Sequence, residues 1–212
     1  MSNSIKVLRK HEQKTTAWSG GTTTQLAIYP EEADYKERNF IWRISTATID
    51  AEQTLFTSLS HVWRKLMVLK GELILDHEGS HRVYLREFDQ DSFSGGGVTR
   101  SIGKATDFNL MMAEGCQGEL EALSIGMGTV LELAGCPEDD EFAQVTEAFY
   151  CSRGRVSIRI HKDKPLCLEE GDLILIHRDS SFQHNKITIK NGHETAAHVV
   201  RVRIVKSSTN KK

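Results

Sequence analysis

The sequence has no apolar run that approaches the roughly 20 residues needed to span a membrane. Its first residues, Met1 to Gln13, are polar and lack the apolar segment of a secretory signal, so we expect a cytoplasmic protein. The net charge is −2 and no Lys- and Arg-rich run is interleaved with aromatic residues, which argues against binding to nucleic acid or to a membrane surface. The 4 cysteines are far apart and form no CxxC pair, as expected of reduced thiols rather than disulfides or a zinc site.

Proline is also scarce, with 3 residues in the chain, and the segments between turn residues are short and rich in β-branched side chains. Regular short strands with frequent turns predict an all-β sandwich or barrel. One helical turn is expected at Pro137–Phe142. The predicted strands are 25–29, 40–49, 64–69, 72–76, 81–85, 107–113, 118–125, 128–133, 148–151, 155–161, 172–177, 186–190 and 198–205.

A weak internal repeat indicates two copies of one small barrel. Residues 64–75 have the pattern strand, glycine, strand, and residues 148–158 repeat it around a second glycine. We therefore predict an N-terminal barrel over residues 1–115 and a C-terminal barrel over residues 116–206, followed by a disordered tail at 207–212. Open sheet edges favour self-association, so a homodimer is expected.

The strand predicted at residues 40–49 offers the clearest candidate for a binding site. Alternation along it puts Arg43 on one face together with the small side chains Ser45 and Ala47. Small residues beside an arginine inside a barrel leave room for a ligand, and a guanidinium binds a carboxylate through two parallel hydrogen bonds. The alternative is an internal ion pair of Arg43 with Asp107 or Glu72.

Four further residues are candidates for the same site. Arg64 alternates with apolar neighbours, so it either enters the barrel or stays exposed at the end of its strand. Asp107 and Asn109 share one strand face, from which they can orient Arg43 and hydrogen-bond a ligand, or simply satisfy neighbouring groups. Trp18 precedes a run of glycine and threonine that forms either a lid at the entrance or an ordinary surface loop.

A motif in the second copy supports a rival interpretation. An apolar strand opened by Gly171-Asp172 and followed by His177, His184 and Asn185 has the shape of the second cupin motif. Two imidazoles at a barrel lip can contribute to a metal site for an isomerase or oxygenase. However, the HxH triplet that supplies most cupin metal ligands is absent, and no nucleophile elbow or telling cysteine–histidine spacing occurs. We therefore expect no metal, no other cofactor and no catalytic residue.

Several phrases of the first half together resemble the HutD/Ves family of tandem cupins. In order they are Trp18-Ser19-Gly20-Gly21, Trp42-Arg43-x-Ser45-x-Ala47, Phe56 leading to Arg64, Gly71, and Asp107-Phe108-Asn109-Leu110-Met111. The chain departs from the family pattern where Thr24-Gln25 replace an Arg-Glu pair. The resemblance implies an all-β tandem cupin (bicupin) of two jelly-roll barrels. It also implies a sensor or regulatory accessory of histidine utilisation that binds a formylated or acidic intermediate.

The leading hypothesis is thus a metal-free binding protein for a small anionic metabolite, held in the N-terminal barrel, and not an enzyme. The third possibility is a structural partner of other proteins, whose melting temperature no metabolite would shift. The residues expected to bind the ligand are Arg43, Ser45, Arg64, Asn109, Trp18 and Asp107.

Overall fold

The structure is a computed structural model that describes residues 4–133, 142–178 and 186–207. Within these ranges the regular structure is β apart from one 3₁₀ turn, Lys10–Glu12, which confirms the all-β prediction. No helix there has the length and apolar character that crossing a membrane would require. The helical turn predicted at Pro137–Phe142 lies outside the described residues except for Phe142, which begins a strand, and the tail beyond Ser207 lies outside them as well.

Each of the 13 predicted strands is present, with ends shifted by a few residues. The sequence analysis missed short or exposed strands that carry few apolar residues, such as β2 and β5 in the list that follows. The strands are β1 (Ser4–Leu8), β2 (Lys14–Trp18), β3 (Gly21–Tyr29), β4 (Trp42–Ile49), β5 (Gln53–Leu55), β6 (Val62–Gly71), β7 (Leu73–His77), β8 (Arg82–Leu85), β9 (Gln90–Ser94), β10 (Thr99–Ile102), β11 (Ala105–Ala113), β12 (Cys116–Ile125), β13 (Val130–Leu133), β14 (Phe142–Arg153), β15 (Arg155–Ile160), β16 (Leu166–Glu169), β17 (Leu173–Arg178), β18 (Ile187–Lys190) and β19 (Ala197–Ser207).

Residues Gln13–Cys116 form one compact unit, the first barrel, built from two antiparallel sheets. One sheet has six strands in the order β2-β3-β4-β11-β6-β9, and the other has four in the order β5-β10-β7-β8. Apolar side chains that point inward form a hydrophobic core in one part of this unit, and Leu66, Val68 and Phe93 belong to it. Strand β2 lies at the end of its sheet with mostly exposed side chains, which leaves an edge where another chain could pair. Self-association remains a prediction.

The second unit, the second barrel, comprises Gln117–Lys212 together with Met1–Glu12. Its sheets have the orders β1-β17-β14-β19-β12 and β13-β18-β15-β16, and Phe149, Ile158 and Ile174 belong to its core. Strand β1 pairs antiparallel with β17, whereas the sequence analysis had assigned the N-terminal residues to the first barrel. Alternating apolar residues in β1 make this pairing favourable, but they do not reveal which sheet edge the strand joins.

The two units repeat one pairing scheme. In the first, β6 pairs with β9 and β11, and β7 pairs with β8 and β10. In the second, β14 pairs with β17 and β19, and β15 pairs with β16 and β18. The repeated glycines, Gly71 and Gly154, have φ values of +84° and +82°, which the turn between the two strands requires.

The register of the six-stranded sheet determines which side chains meet. Cα partners in neighbouring strands project to the same face. Ser45 is opposite Asn109 on one side and Gln25 on the other, and Met111 lies between Arg43 and Arg64. The two arginines are therefore two strands apart, about 10 Å between their Cα atoms, with their side chains on one face.

Candidate functional site

Arg43 is buried inside the first barrel with a 5% exposed surface. Its Nε donates to Oε1 of Gln25 at 2.9 Å, and NH1 donates to Oγ of Ser45 at 3.1 Å. The guanidinium also lies 4.3 Å from the centre of the Tyr35 ring. No carboxylate in the described chain pairs with this guanidinium, which excludes the ion pairs with Asp107 or Glu72 considered as alternatives within those residues.

Arg64 is equally buried and is not the exposed strand-end residue that was the alternative. Its Nε and NH2 donate to Oδ1 of Asn109 at 3.3 and 3.1 Å. The rings of Phe56 and Phe93 lie 4.8 and 5.2 Å from its guanidinium carbon. Burial lowers the pKa of Arg64 to about 10, although the charge of Asp107 acts in the opposite direction, so the guanidinium stays charged at neutral pH.

Asn109 connects Arg64 to Asp107. Its Nδ2 donates to Oδ1 of Asp107 at 3.2 Å, and both residues are almost fully buried. Burial raises the pKa of the Asp107 carboxyl to about 6, and the hydrogen bond from Asn109 and the charge of Arg64 limit this rise. The sequence analysis expected Asn109 and Asp107 to orient Arg43, but the pair is directed at Arg64 instead.

These groups carry an excess of positive charge. Two buried guanidiniums face one buried carboxylate, and below about pH 6 that carboxylate is itself mostly protonated. Burial lowers the pKa of Arg43 as well, which reflects the cost of keeping this charge away from water. An anion that enters this face would offset the cost that the first barrel otherwise bears.

The second barrel provides an internal comparison, because its partly buried Arg201 has acidic partners. Arg201 of β19 donates to Oε1 of the fully buried Glu147 through NH2 at 2.6 Å and through Nε at 3.1 Å. Its NH1 donates to Oε2 of Glu121 at 3.3 Å. Arg201 therefore belongs to an ordinary structural ion pair, whereas the partners of Arg43 within the described ranges are all neutral.

The remaining predicted ligand residues, Ser45 and Trp18, lie in different parts of the first barrel. Ser45 is 2% exposed and already accepts a hydrogen bond from Arg43. Trp18 packs partly buried against the core that contains Phe93, and its ring lies against Gly20, where a Cβ would come within 2.1 Å of it. The Nε1 atom of Trp18 is buried and has no hydrogen-bond partner in the part of the chain that the structure describes. In the register of the sheet, Trp18 lies beside Gly21 and Ile49, which is six residues, or about 20 Å, along β4 from Arg43.

The rival metal site cannot be assembled from what the structure describes, because His184 and Asn185 lie outside the described residues. His177 is half-buried on β17, and its Nδ1 lies 3.1 Å from Oγ1 of Thr146.

Sequence reasoning missed four residues that surround the two guanidiniums. Gln25 is the Cα partner of Ser45 and therefore shares its face, and the β-bulge between Gln25 and Ala27 interrupts the alternation with the rest of β3. Tyr35 lies between β3 and β4, where no strand periodicity marks an inward side chain. Phe56 and Phe93 flank Arg64. Only Phe93, which alternates with Asp91 on β9, had a pattern that indicated its direction.

A family model described as HutD matches residues 10–197 of the chain. None of the curated proteins matches the sequence significantly. Among solved structures, one similar chain is the conserved protein of unknown function PA5104 from Pseudomonas aeruginosa PAO1. The TM-score is 0.77 at 22% identity, over 95% of this chain and 98% of that one.

Two further structures have the same fold. HutD from Pseudomonas fluorescens SBW25, solved in a formate condition, matches with TM-score 0.67 and 18% identity over 94% of this chain and 98% of that chain. The bacterial pirin YhhW from Escherichia coli, in complex with nickel(II), matches with TM-score 0.65 and 11% identity over 94% and 98%. These likenesses confirm the predicted cupin fold.

Proposed function

The chain belongs to the HutD family, and on that premise we propose that it binds a small anionic metabolite in the first barrel. The observation that carries the proposal is the environment of Arg43. A buried guanidinium with neutral partners alone is costly to an unliganded protein, and a bound carboxylate would supply the missing charge. Arg201 needs no ligand to neutralise its charge, because it already pairs with the carboxylates of Glu147 and Glu121.

The hydrogen bonds of Arg43 leave one edge of its guanidinium for the ligand. Gln25 occupies Nε and Ser45 takes one hydrogen of NH1, so the second NH1 hydrogen and both NH2 hydrogens remain. NH1 and NH2 together form the edge that binds a carboxylate through two parallel hydrogen bonds. The Tyr35 ring packs against one planar face of the Arg43 guanidinium and restricts its rotation.

The second half of the site suits a polar, uncharged group of the same ligand. Nε and NH2 of Arg64 donate to the Asn109 carbonyl, which leaves the NH1 hydrogens as donors for a ligand among the described residues. A formyl or amide oxygen is the kind of acceptor that such donors need. A ligand with a carboxylate at one end and a formyl group at the other combines both chemistries, as in an N-formylated amino acid.

The role we propose is that of a sensor or regulatory accessory of histidine utilisation, not of a catalyst. The HutD structure from Pseudomonas fluorescens was solved in a formate condition. Formate is the smallest carboxylate, and its carbon carries a single hydrogen as a formyl group does. The groups around Arg43 are donors and neutral acceptors, which suit recognition of a stable anion. The carboxylate of Asp107 accepts a hydrogen bond from Asn109 and interacts electrostatically with Arg64.

Calorimetric titration of the full chain tests this function. The probes are N-formylglycine, N-formylaspartate and formate, each against an unformylated or uncharged counterpart: glycine, aspartate and formamide. We expect one ligand per chain for at least one formylated acid, tighter binding than for its counterpart, and a rise in melting temperature. If none of these acids binds at concentrations up to about 10 mM, where the standard binding free energy is only about −3 kcal/mol, the proposed function is wrong.

Replacement of Gln25 by Glu is a sharper test of the charge argument. The new carboxylate would lie next to Nε of Arg43 and supply the charge that we assign to the ligand. We expect the affinity for the formylated acid to fall about tenfold, or about 1.4 kcal/mol, while the unliganded protein becomes no less stable. Titration of Gln25→Glu beside Gln53→Glu, which adds the same charge at an exposed position of the first barrel, measures the effect. Equal affinities of the two variants would refute it.

A further inference from the structure

Two histidines and an aspartate meet on the first barrel, and none of them is among the groups that contact Arg43 or Arg64 in the described residues. His77 Nε2 lies 2.8 Å from Oδ2 of Asp91, and His81 Nε2 lies 3.1 Å from the same oxygen. The two imidazole rings stack with their centres 4.4 Å apart. One potential ligand atom from each residue lies within 4.8 Å of the other two, and no other such trio of His, Cys, Asp or Glu occurs in the described residues.

Local backbone structure brings these side chains together. His77 ends β7, and a tight turn through Gly79 returns the chain so that the backbone N–H of His77 donates to the carbonyl of His81 at 2.9 Å. The two histidines are thus opposite each other across a hairpin and project to one side. Asp91 comes from β9, the last strand of the other sheet, so the trio joins the edges of the two sheets.

Neighbouring hydroxyl groups engage the other nitrogen of each imidazole. His77 Nδ1 lies 2.9 Å from Oγ1 of Thr99, its Cα partner on β10, and His81 Nδ1 lies 3.1 Å from Oγ of Ser80. Such contacts fix the ring orientation and leave both Nε2 atoms directed at Asp91. His77 is buried and its ring also contacts Phe93, whereas His81 is exposed, so one side of the trio is open to water.

We propose that His77, His81 and Asp91 form a binding site for a divalent transition-metal ion, with Zn²⁺ as the best match. Two imidazole nitrogens and one carboxylate oxygen are ligands that Zn²⁺ accepts, and the open side leaves a fourth position for water. Bonds of about 2.1 Å in tetrahedral geometry place ligand atoms about 3.4 Å apart. The observed separations of 2.8 and 3.1 Å require a shift of a few tenths of an ångström, which the exposed His81 side chain permits.

The ion has a structural role in this proposal. It would connect the β7–β8 hairpin of the four-stranded sheet to the edge strand β9 of the six-stranded sheet. Phe93, two residues after Asp91, contacts both His77 and Arg64, so the site adjoins one wall of the anion site without sharing a ligand with it. The metal proposal does not depend on the proposed function, because it would hold whether or not an anion binds at Arg43.

Titration of the full chain with ZnCl₂ after treatment with EDTA and dialysis tests the site. We expect one Zn²⁺ per chain and a higher melting temperature, with little response to Mg²⁺. His81→Ala and Asp91→Asn should each weaken binding at least tenfold, and Thr99→Val, which removes only the hydroxyl next to His77 Nδ1, should weaken it about 10- to 100-fold. His61→Asn, at an exposed histidine outside the trio with φ +62°, should bind like wild type.

Cobalt provides a spectroscopic control for the same variants. Co²⁺ in place of Zn²⁺ should give the intense visible absorption of a four-coordinate site in the wild type, and this absorption should be lost in His81→Ala. The proposal is overturned if Zn²⁺ does not bind the wild type at submillimolar concentration. It is equally overturned if His81→Ala and Asp91→Asn bind Zn²⁺ as tightly as His61→Asn does.

Discussion

Replacement of Arg43 by Met is expected to weaken binding of the N-formylated acid at least 100-fold. The substitution keeps most of the side-chain length but removes the donors that we assign to the ligand carboxylate. Loss of one partner from a buried, hydrogen-bonded charge pair costs about 3 kcal/mol or more, which corresponds to that factor. Calorimetric titration of both proteins under the same conditions measures the change.

The stability of the same variant distinguishes a ligand-binding arginine from a structural one. Arg43 has no carboxylate partner among the residues that the structure describes, so its removal should leave the free energy of unfolding within about 1 kcal/mol of wild type. Arg201→Met is the matched control in the second barrel. It deprives the buried Glu147 of its guanidinium partner, and should lower the free energy of unfolding by about 3 kcal/mol while leaving anion affinity unchanged below the melting transition. Unaltered anion affinity in Arg43→Met would remove this residue from the site.

Asp107→Asn is expected to stabilise the protein at pH 8 by up to about 3 kcal/mol. The pKa of Asp107 is raised by burial from 3.8 to about 6, so the folded state binds the proton more tightly than the unfolded state. The free energy of unfolding of the wild type therefore falls as the pH rises from about 4 to about 6, and stays low above that range. A rise of about two pKa units corresponds to about 3 kcal/mol, and the amide of Asn avoids this cost because it does not ionise.

Chemical denaturation at a series of pH values checks this prediction. The difference between Asp107→Asn and wild type should be small near pH 4 and should grow through pH 6, whereas Asp50→Asn, at an exposed position, should follow the wild-type curve. Protonation of Asp107 also increases the net positive charge around the two arginines, so anion binding by the wild type should tighten between pH 7.5 and 5.5. A difference between variant and wild type that stays constant from pH 4 to pH 8 would contradict the assigned pKa.

The fold was predictable because alternation and turn residues mark the longer strands. The strand around Arg43 could be recognised from its β-branched and aromatic residues, and both of its faces are buried near Arg43. Gly71 and Gly154 revealed the repeat, since the same left-handed turn follows the same strand in each unit. The position of β1 could not be predicted in this way. Its side chains indicate a strand, but pairing with β17 is decided by contacts more than 160 residues away in the sequence.

The site was predictable only in its strand-borne parts. Alternation placed Arg43 beside Ser45, and Asp107 beside Asn109, because Cβ direction in a strand depends on the residue number alone. It did not reveal that Asn109 bonds to Arg64 rather than to Arg43, since that depends on the register between three strands. Tyr35 was missed because loop residues have no such periodicity, and Gln25 because a β-bulge shifts the alternation.

The cluster of His77, His81 and Asp91 illustrates the same limit. Two histidines on either side of a Glu-Gly-Ser turn are a local signal of paired imidazoles on a hairpin. The third ligand comes from a strand of the other sheet, and no spacing rule connects it to the hairpin. The loose second cupin motif instead indicated His177 and His184, in the second half of the sequence.

Side-chain NMR of the arginines tests the central claim most directly. In protein labelled with ¹⁵N-arginine, Nε–H resonances report the surroundings of each guanidinium, and the signals are assigned from Arg43→Met, Arg64→Met and Arg201→Met. On titration with the N-formylated acid that binds in calorimetry, the account predicts that the Arg43 and Arg64 resonances shift together and saturate at one equivalent, while the Arg201 resonance stays in place. Saturable binding with an unchanged Arg43 resonance, or with the shift at Arg201, would contradict it.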